Sequence, residues 1–200
     1  KWVATGLEEP MTTHADRFRY NSGYGMSAYD KGSIFLSQLQ YVVGKENFDK
    51  TLKKYFDDWS FKHPKPNDFI RSAEKVSGLE LDWYLLDWAQ STMTIDYSIN
   101  SLYGVDNKTR VVLKRIGQMG MPIDLRVELL NGEILDYNIP MTKMRGSKPV
   151  SSSTILKSWS WAKPYYELWI DIDSKNISKI TIDPKNEMAD INRNNNYLVL

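Results

Sequence analysis

The sequence contains no cysteine and only two histidines, His14 and His63. Without thiols, disulfides, thiolate metal sites and cysteine nucleophiles are all excluded. With two histidines so far apart, no HExxH motif exists, and nothing in their spacing asks for a metal site. No GxSxG elbow and no phosphate-cradling glycine loop occurs. Net charge is +1 and no dense basic run stands out, so electrostatic binding of nucleic acid has no support. No apolar stretch approaches the roughly 20 residues that a membrane span needs. The opening "KWVATGLEEPM" has neither an initiator methionine nor the charged, apolar and small-residue pattern of a secretory signal. The expectation is a piece of a longer protein, whose localisation is not written in these residues.

What is present is ordinary in amount and uneven in arrangement. Hydrophobic residues make up 42% and charged residues 26%, as in a globular chain. Two hundred residues suffice for one domain or two small ones. The periodicity changes near Ser91 to Ile95, which predicts a helical unit over 1–93 and a β unit over 94–200 ending in a polar tail.

In the first half, Ile34, Phe35, Leu36, Leu39, Val42 and Val43 cluster toward one side of a helix from Ser27, which Gly44 stops. Phe48, Leu52, Tyr55, Phe56 and Trp59 follow helical spacing and read as a core-facing stripe. Pro66, Asn67 and Asp68 open a third helix, and Gly78 ends it. "LDWYLLDWAQS" is a fourth, short and aromatic. Residues 1–26 read mostly as loop and helix ends. In the second half, short runs rich in β-branched and aromatic residues are bounded by Gly, Asn, Asp or Pro. Ile123, Leu125, Val127 and Leu129 alternate with Asp124, Arg126 and Glu128, as in a half-buried strand. Asn131-Gly132 signals a hairpin. The fold class is α+β: helices first, then a small antiparallel β-sandwich.

Few residues are candidates for chemistry. His63, before a proline, reads as a surface or capping residue. His14, in "TTHAD", either plays a structural part or lines a cleft. Trp159, Trp161, Tyr165, Tyr166 and Trp169 either fill a core or seam, or form a stacking platform for peptide or glycan. Tyr29 opens "YDKG" near a helix start. It is either a packing residue or a phenol placed to donate a hydrogen bond to a developing oxyanion. Gly32 leaves room for a neighbouring backbone to approach.

Five short patterns occur in order over about sixty residues. They are Tyr29-Asp30-Lys31-Gly32, Gly44-Lys45-Glu46-Asn47-Phe48, Tyr55-Phe56, Pro66-Asn67-Asp68-Phe69, and Trp83 with Trp88. Together they resemble the region downstream of the zinc site in gluzincin aminopeptidases of the aminopeptidase N type. The resemblance is strong from Tyr29 to Trp88 and looser beyond, where a β-sandwich follows the catalytic domain in that family.

It implies that the helical half is the second half of a thermolysin-like catalytic domain. Tyr29 would stabilise the oxyanion formed as metal-activated water attacks a peptide carbonyl. Tyr24 and His14 would line the substrate cleft. The family's HExxH helix, its glutamate ligand and its amine-binding loop have no counterpart in these residues. The expected cofactor is therefore zinc in the longer protein, with none bound by this chain, which alone would be inactive. Expected partners are a peptide substrate in the longer protein's cleft and the upstream catalytic segment of that chain. The alternatives are a non-catalytic peptide- or glycan-binding module and a family member with a degenerate metal site.

Overall fold

In the computed structural model, which describes residues 3–200, the chain divides into two units, Lys1–Met93 and Thr94–Leu200. The first is helical and the second is built of strands, giving an α+β chain.

Among the described residues, five α-helices build the first unit: α1 (Asn21–Gly25), α2 (Lys31–Val43), α3 (Lys45–Trp59), α4 (Pro66–Ser77) and α5 (Asp82–Ala89). Their stops follow from local chemistry. Gly44 adopts φ 83° between α2 and α3, and Gly78 ends α4 at φ 72° in the left-handed region. Pro66 occupies the first turn of α4. The Asp68 carboxylate accepts the Lys65 amide at 2.7 Å, satisfying a donor the helix leaves unpaired. Leu39, Val42, Val43, Ile70, Ala73, Leu81 and Tyr84 are buried in this unit's core. Phe35 is central, with its ring 5.1 Å from that of Tyr84 and 6.4 Å from that of Phe69.

Two readings of this unit need correcting. The helix expected from Ser27 begins earlier, because α1 starts at Asn21 and runs into α2 through a π-helical turn, Met26–Asp30. The stripe expected on α3 is only partly buried. Phe48 and Thr51 face inward, whereas Leu52 and Phe56 are exposed, Phe56 by 68%. The inward face of α3 runs through the small hydroxyl of Thr51, whose Oγ1 donates to the Asn47 carbonyl. A pattern of large residues alone misplaces that face.

The second unit holds two sheets. One is three-stranded, in the order β1 (Tyr97–Val105), β2 (Lys108–Arg115), β6 (Tyr165–Ile170). The other is five-stranded: β5 (Thr154–Ile155), β4 (Ile134–Ile139), β3 (Ile123–Leu129), β7 (Ile177–Ile182), β8 (Tyr197–Val199). All pairings are antiparallel except β4 with β5, which is parallel. On β3, Ile123, Leu125, Val127 and Leu129 are buried while the alternate residues are not, so one face meets the core. The β3–β4 turn uses a single positive φ, at Gly132. The β1–β2 hairpin turns on Asp106 and Asn107 at φ 48° and 62°, the paired left-handed conformation of a tight hairpin.

A polar stitch ties the tail to the start of the unit. The Asp190 carboxylate accepts the Tyr97 amide at 2.9 Å and the Asn192 amide at 2.8 Å. Trp159 is buried and its ring lies 5.4 Å from that of Tyr97 and 5.3 Å from that of Tyr166. Trp161, Tyr165 and Trp169, which share its sequence neighbourhood, are exposed.

Candidate active site

Tyr29 lies inside the π-helical turn. The Lys31 amide reaches back five residues to the Met26 carbonyl, which widens the helix at this point. Such single wide turns recur at functional sites because they displace one side chain from the register of the helix. Tyr29 is 73% exposed. Tyr24 lies one turn earlier on the same helical run, half exposed, with its ring edge-on to Phe18 at 5.6 Å. The structure thus brings Tyr24 and Tyr29 onto one run. His14 sits on a separate short turn. Its Nδ1 accepts the Asp16 amide at 3.3 Å and its side chain is 70% exposed. His63 is exposed in the loop between α3 and α4.

Gly32 is not explained by a close backbone approach. A Cβ built there meets nothing within 4 Å among the described residues.

The residues flanking Tyr29 were missed by the sequence reading. Ser27 and Lys31, at i and i+4, are both buried. Ser27 Oγ donates to the Glu9 carbonyl at 3.0 Å. Lys31 Nζ donates to Glu8 Oε1 at 2.5 Å and to the Ser91 carbonyl at 2.9 Å. Thr12 extends the connection, its amide and hydroxyl both donating to the Ala89 carbonyl. The segment from Glu8 to Thr12 is therefore held between the π turn and the end of α5. One signal was available: Lys31, Phe35, Gln38, Leu39 and Val42 follow the spacing of one helix face, so the lysine falls on a buried register.

Among the described residues, no three His, Cys, Asp or Glu side chains come together in a set able to hold a metal ion. These residues do not fit a zinc site. Among the same residues, no helix is long and apolar enough to cross a membrane.

Residues 4–88, which contain α1–α4, the π turn and all but the last residue of α5, match the Peptidase family M1 domain. The chain is similar to aminopeptidase N of Escherichia coli, with 24% identity over 140 residues, covering 66% of this chain and 16% of that protein. It is also similar to human glutamyl aminopeptidase, with 31% identity over 83 residues, covering 42% of this chain and 8% of that protein. A solved structure of Legionella pneumophila aminopeptidase A in complex with aspartic acid aligns with 80% of this chain and 17% of its own, at 18% identity and a TM-score of 0.48. The chain thus spans 16% or less of the two curated relatives' lengths. The matching domain is that of a metallopeptidase family. The match spans less than half of the chain, and it agrees with the resemblance of the helical half to the aminopeptidase N-like gluzincins.

Proposed function

We propose that this chain is part of a zinc-dependent metallo-aminopeptidase that removes N-terminal residues from peptides. Tyr29 supplies a hydrogen bond to the oxyanion formed when water adds to the scissile carbonyl. Tyr24 and His14 belong to the cleft wall that receives the peptide. The zinc ligands belong to residues outside these 200, in an upstream catalytic segment of the same longer chain, and the 200-residue chain alone is inactive.

One observation carries the reading. Within the matched span, a π turn projects a largely exposed tyrosine from the Tyr29-Asp30-Lys31-Gly32 pattern. A neutral phenol aimed at developing charge stabilises the transition state more than the ground state, because the carbonyl oxygen gains charge only as the tetrahedral centre forms.

The test is Tyr29→Phe in the full-length protein, assayed on an N-terminally unblocked peptide. Losing one oxyanion donor lowers kcat by about 10²–10³. KM changes much less. More than about half of kcat retained would give Tyr29 no such role.

A second reading has its own support on the three-stranded sheet. Tyr103, Arg110 and Trp169 are paired across β1, β2 and β6, with both aromatic rings exposed. This row suits stacking on peptide or glycan, without catalysis. Saturable binding of an oligosaccharide or unstructured peptide by the purified chain, abolished by Trp169→Ala, favours it.

A further inference from the structure

Lys31 carries a charge into the interior of the helical unit, 9% exposed and anchored by the Glu8 carboxylate and the Ser91 carbonyl. Stability alone does not call for it. A buried ion pair replaced by apolar residues of similar volume often leaves a protein equally stable or more so. The charge does supply direction. An ammonium has three donors and no acceptor, so it settles where acceptors converge. Here they come from two separate places, the segment before α1 and the residue after α5.

The clamp sits at a point where the helix has a choice of register. The stretch Met26–Asp30 is π-helical; Ser27 lies within it and Lys31 follows its last residue. Ser27, 2% exposed, is tied to Glu9, and Lys31 is tied to the adjacent Glu8. Two consecutive residues of one segment thus grip the turn at i and i+4, with Tyr29 between them and facing solvent. Were the turn to relax to ordinary α-helix, the residues on one side of it would rotate by about 100° relative to the other, one residue's share of a 3.6-residue turn. Ser27 and Lys31 could not both keep their partners after such a change.

We infer that Lys31 is a positioning residue for Tyr29: through Glu8 and Ser91 it locks the π turn that aims the phenol. This rests on the proposed role of Tyr29 and extends it to a residue that touches no substrate.

The test is a double-mutant cycle in the full-length protein, with kcat and KM read separately. Lys31→Met should lower kcat roughly 10–100-fold, the usual cost of losing a supporting contact behind a working group. KM should stay within about twofold, as for an interaction felt only in the transition state. In a Tyr29→Phe background the same change should add less than about twofold, because the group being aimed is already gone. Glu8→Gln, which keeps the shape and removes the charge, should follow Lys31→Met in direction and serves where the methionine variant does not fold. In the purified 200-residue chain, amide hydrogen exchange should speed up over 26–31 in Glu8→Gln and stay unchanged over α4.

A Lys31→Met or Glu8→Gln enzyme with normal kcat, beside a damaged Tyr29→Phe enzyme, overturns the inference and leaves the role of Tyr29 standing. So does a Lys31→Met loss that multiplies in full on top of Tyr29→Phe. A Tyr29→Phe enzyme with normal kcat overturns both.

Discussion

The Tyr84 hydroxyl donates a 2.6 Å hydrogen bond to the Phe35 carbonyl, joining α5 to α2 across the centre of the helical unit. The β unit has a counterpart in Tyr97, whose hydroxyl donates to the Met121 carbonyl at 3.1 Å and accepts the Met121 amide at 2.8 Å. Burial pushes the Tyr84 phenol well up, and it pushes Tyr97 up to about 12.

Alkaline unfolding follows from these two groups. Their folded pKa values lie above the unfolded value of about 10, so the folded state holds the protons more tightly. Their contribution is complete below about pH 10 and is lost as pH rises through the folded values. The urea midpoint should therefore fall between about pH 10 and about pH 12. The double variant Tyr84→Phe/Tyr97→Phe should start lower, by roughly 1–3 kcal/mol per site, and lose little more over that interval. A wild-type midpoint flat to about pH 12 would contradict this.

At the acid end, Arg126 grips Asp136 through two hydrogen bonds of 2.8 and 2.9 Å across β3 and β4, holding the Asp136 carboxyl below its usual range. A lowered carboxyl contributes stability above its unfolded pKa, about 3.9, and loses it as pH falls through the folded one. Burial raises Asp183 and Asp190, which act with the opposite sign. The measurement is therefore a difference. Between about pH 5 and about pH 2, wild type should lose more stability than Asp136→Asn does.

Phe48 and Phe56 sit two turns apart on α3 in opposite environments. In the 200-residue chain, Phe48→Ala should cost roughly 3–5 kcal/mol by leaving a cavity. Phe56→Ser should change stability by no more than about 0.5 kcal/mol. Chemical denaturation of both variants checks the contrast, and equal costs would return Phe56 to the core.

The Asp106-Asn107 turn sets the β1–β2 register. Asn107→Val forces a branched side chain into the left-handed region and should cost roughly 1–2 kcal/mol. An unchanged melting temperature would count against that geometry.

Much of this was legible because the signals were local. Pro66 and Gly78 bound α4 by backbone chemistry, and the alternation on β3 gives one buried face directly. The α5 aromatics Trp83 and Trp88 are both buried. The misses share a different cause. Leu52 and Phe56 are large and apolar at helical spacing, yet what they meet depends on neighbours that periodicity does not encode. Asp106 and Asn107 fall among the Asn and Asp residues that bound the strand runs, but the tight turn they make was not singled out, since their preference for positive φ acts only once two strands meet. The grip of Glu8 on Lys31 joins residues far apart in sequence, so no window of a few turns contains both. The motif around Tyr29 identified a candidate, while the contacts that hold it lay in a segment with no pattern of its own.

The wide turn at Met26–Asp30 also alters the phase of the helix. Gly23, Ser27, Lys31, Phe35, Leu39 and Val43 recur every fourth residue and are all buried. In an unbroken α-helix such a series drifts by about 40° per step, because 3.6 residues complete a turn. Five steps of one sign would carry it around to solvent. A turn wider than four residues drifts the other way and cancels part of the error. The π segment therefore acts as a phase correction, keeping a small and polar upper end in line with an apolar lower one. Were 26–30 to close to ordinary α-helix with every residue kept, that correction would be lost, and the two ends of the run could not be buried together.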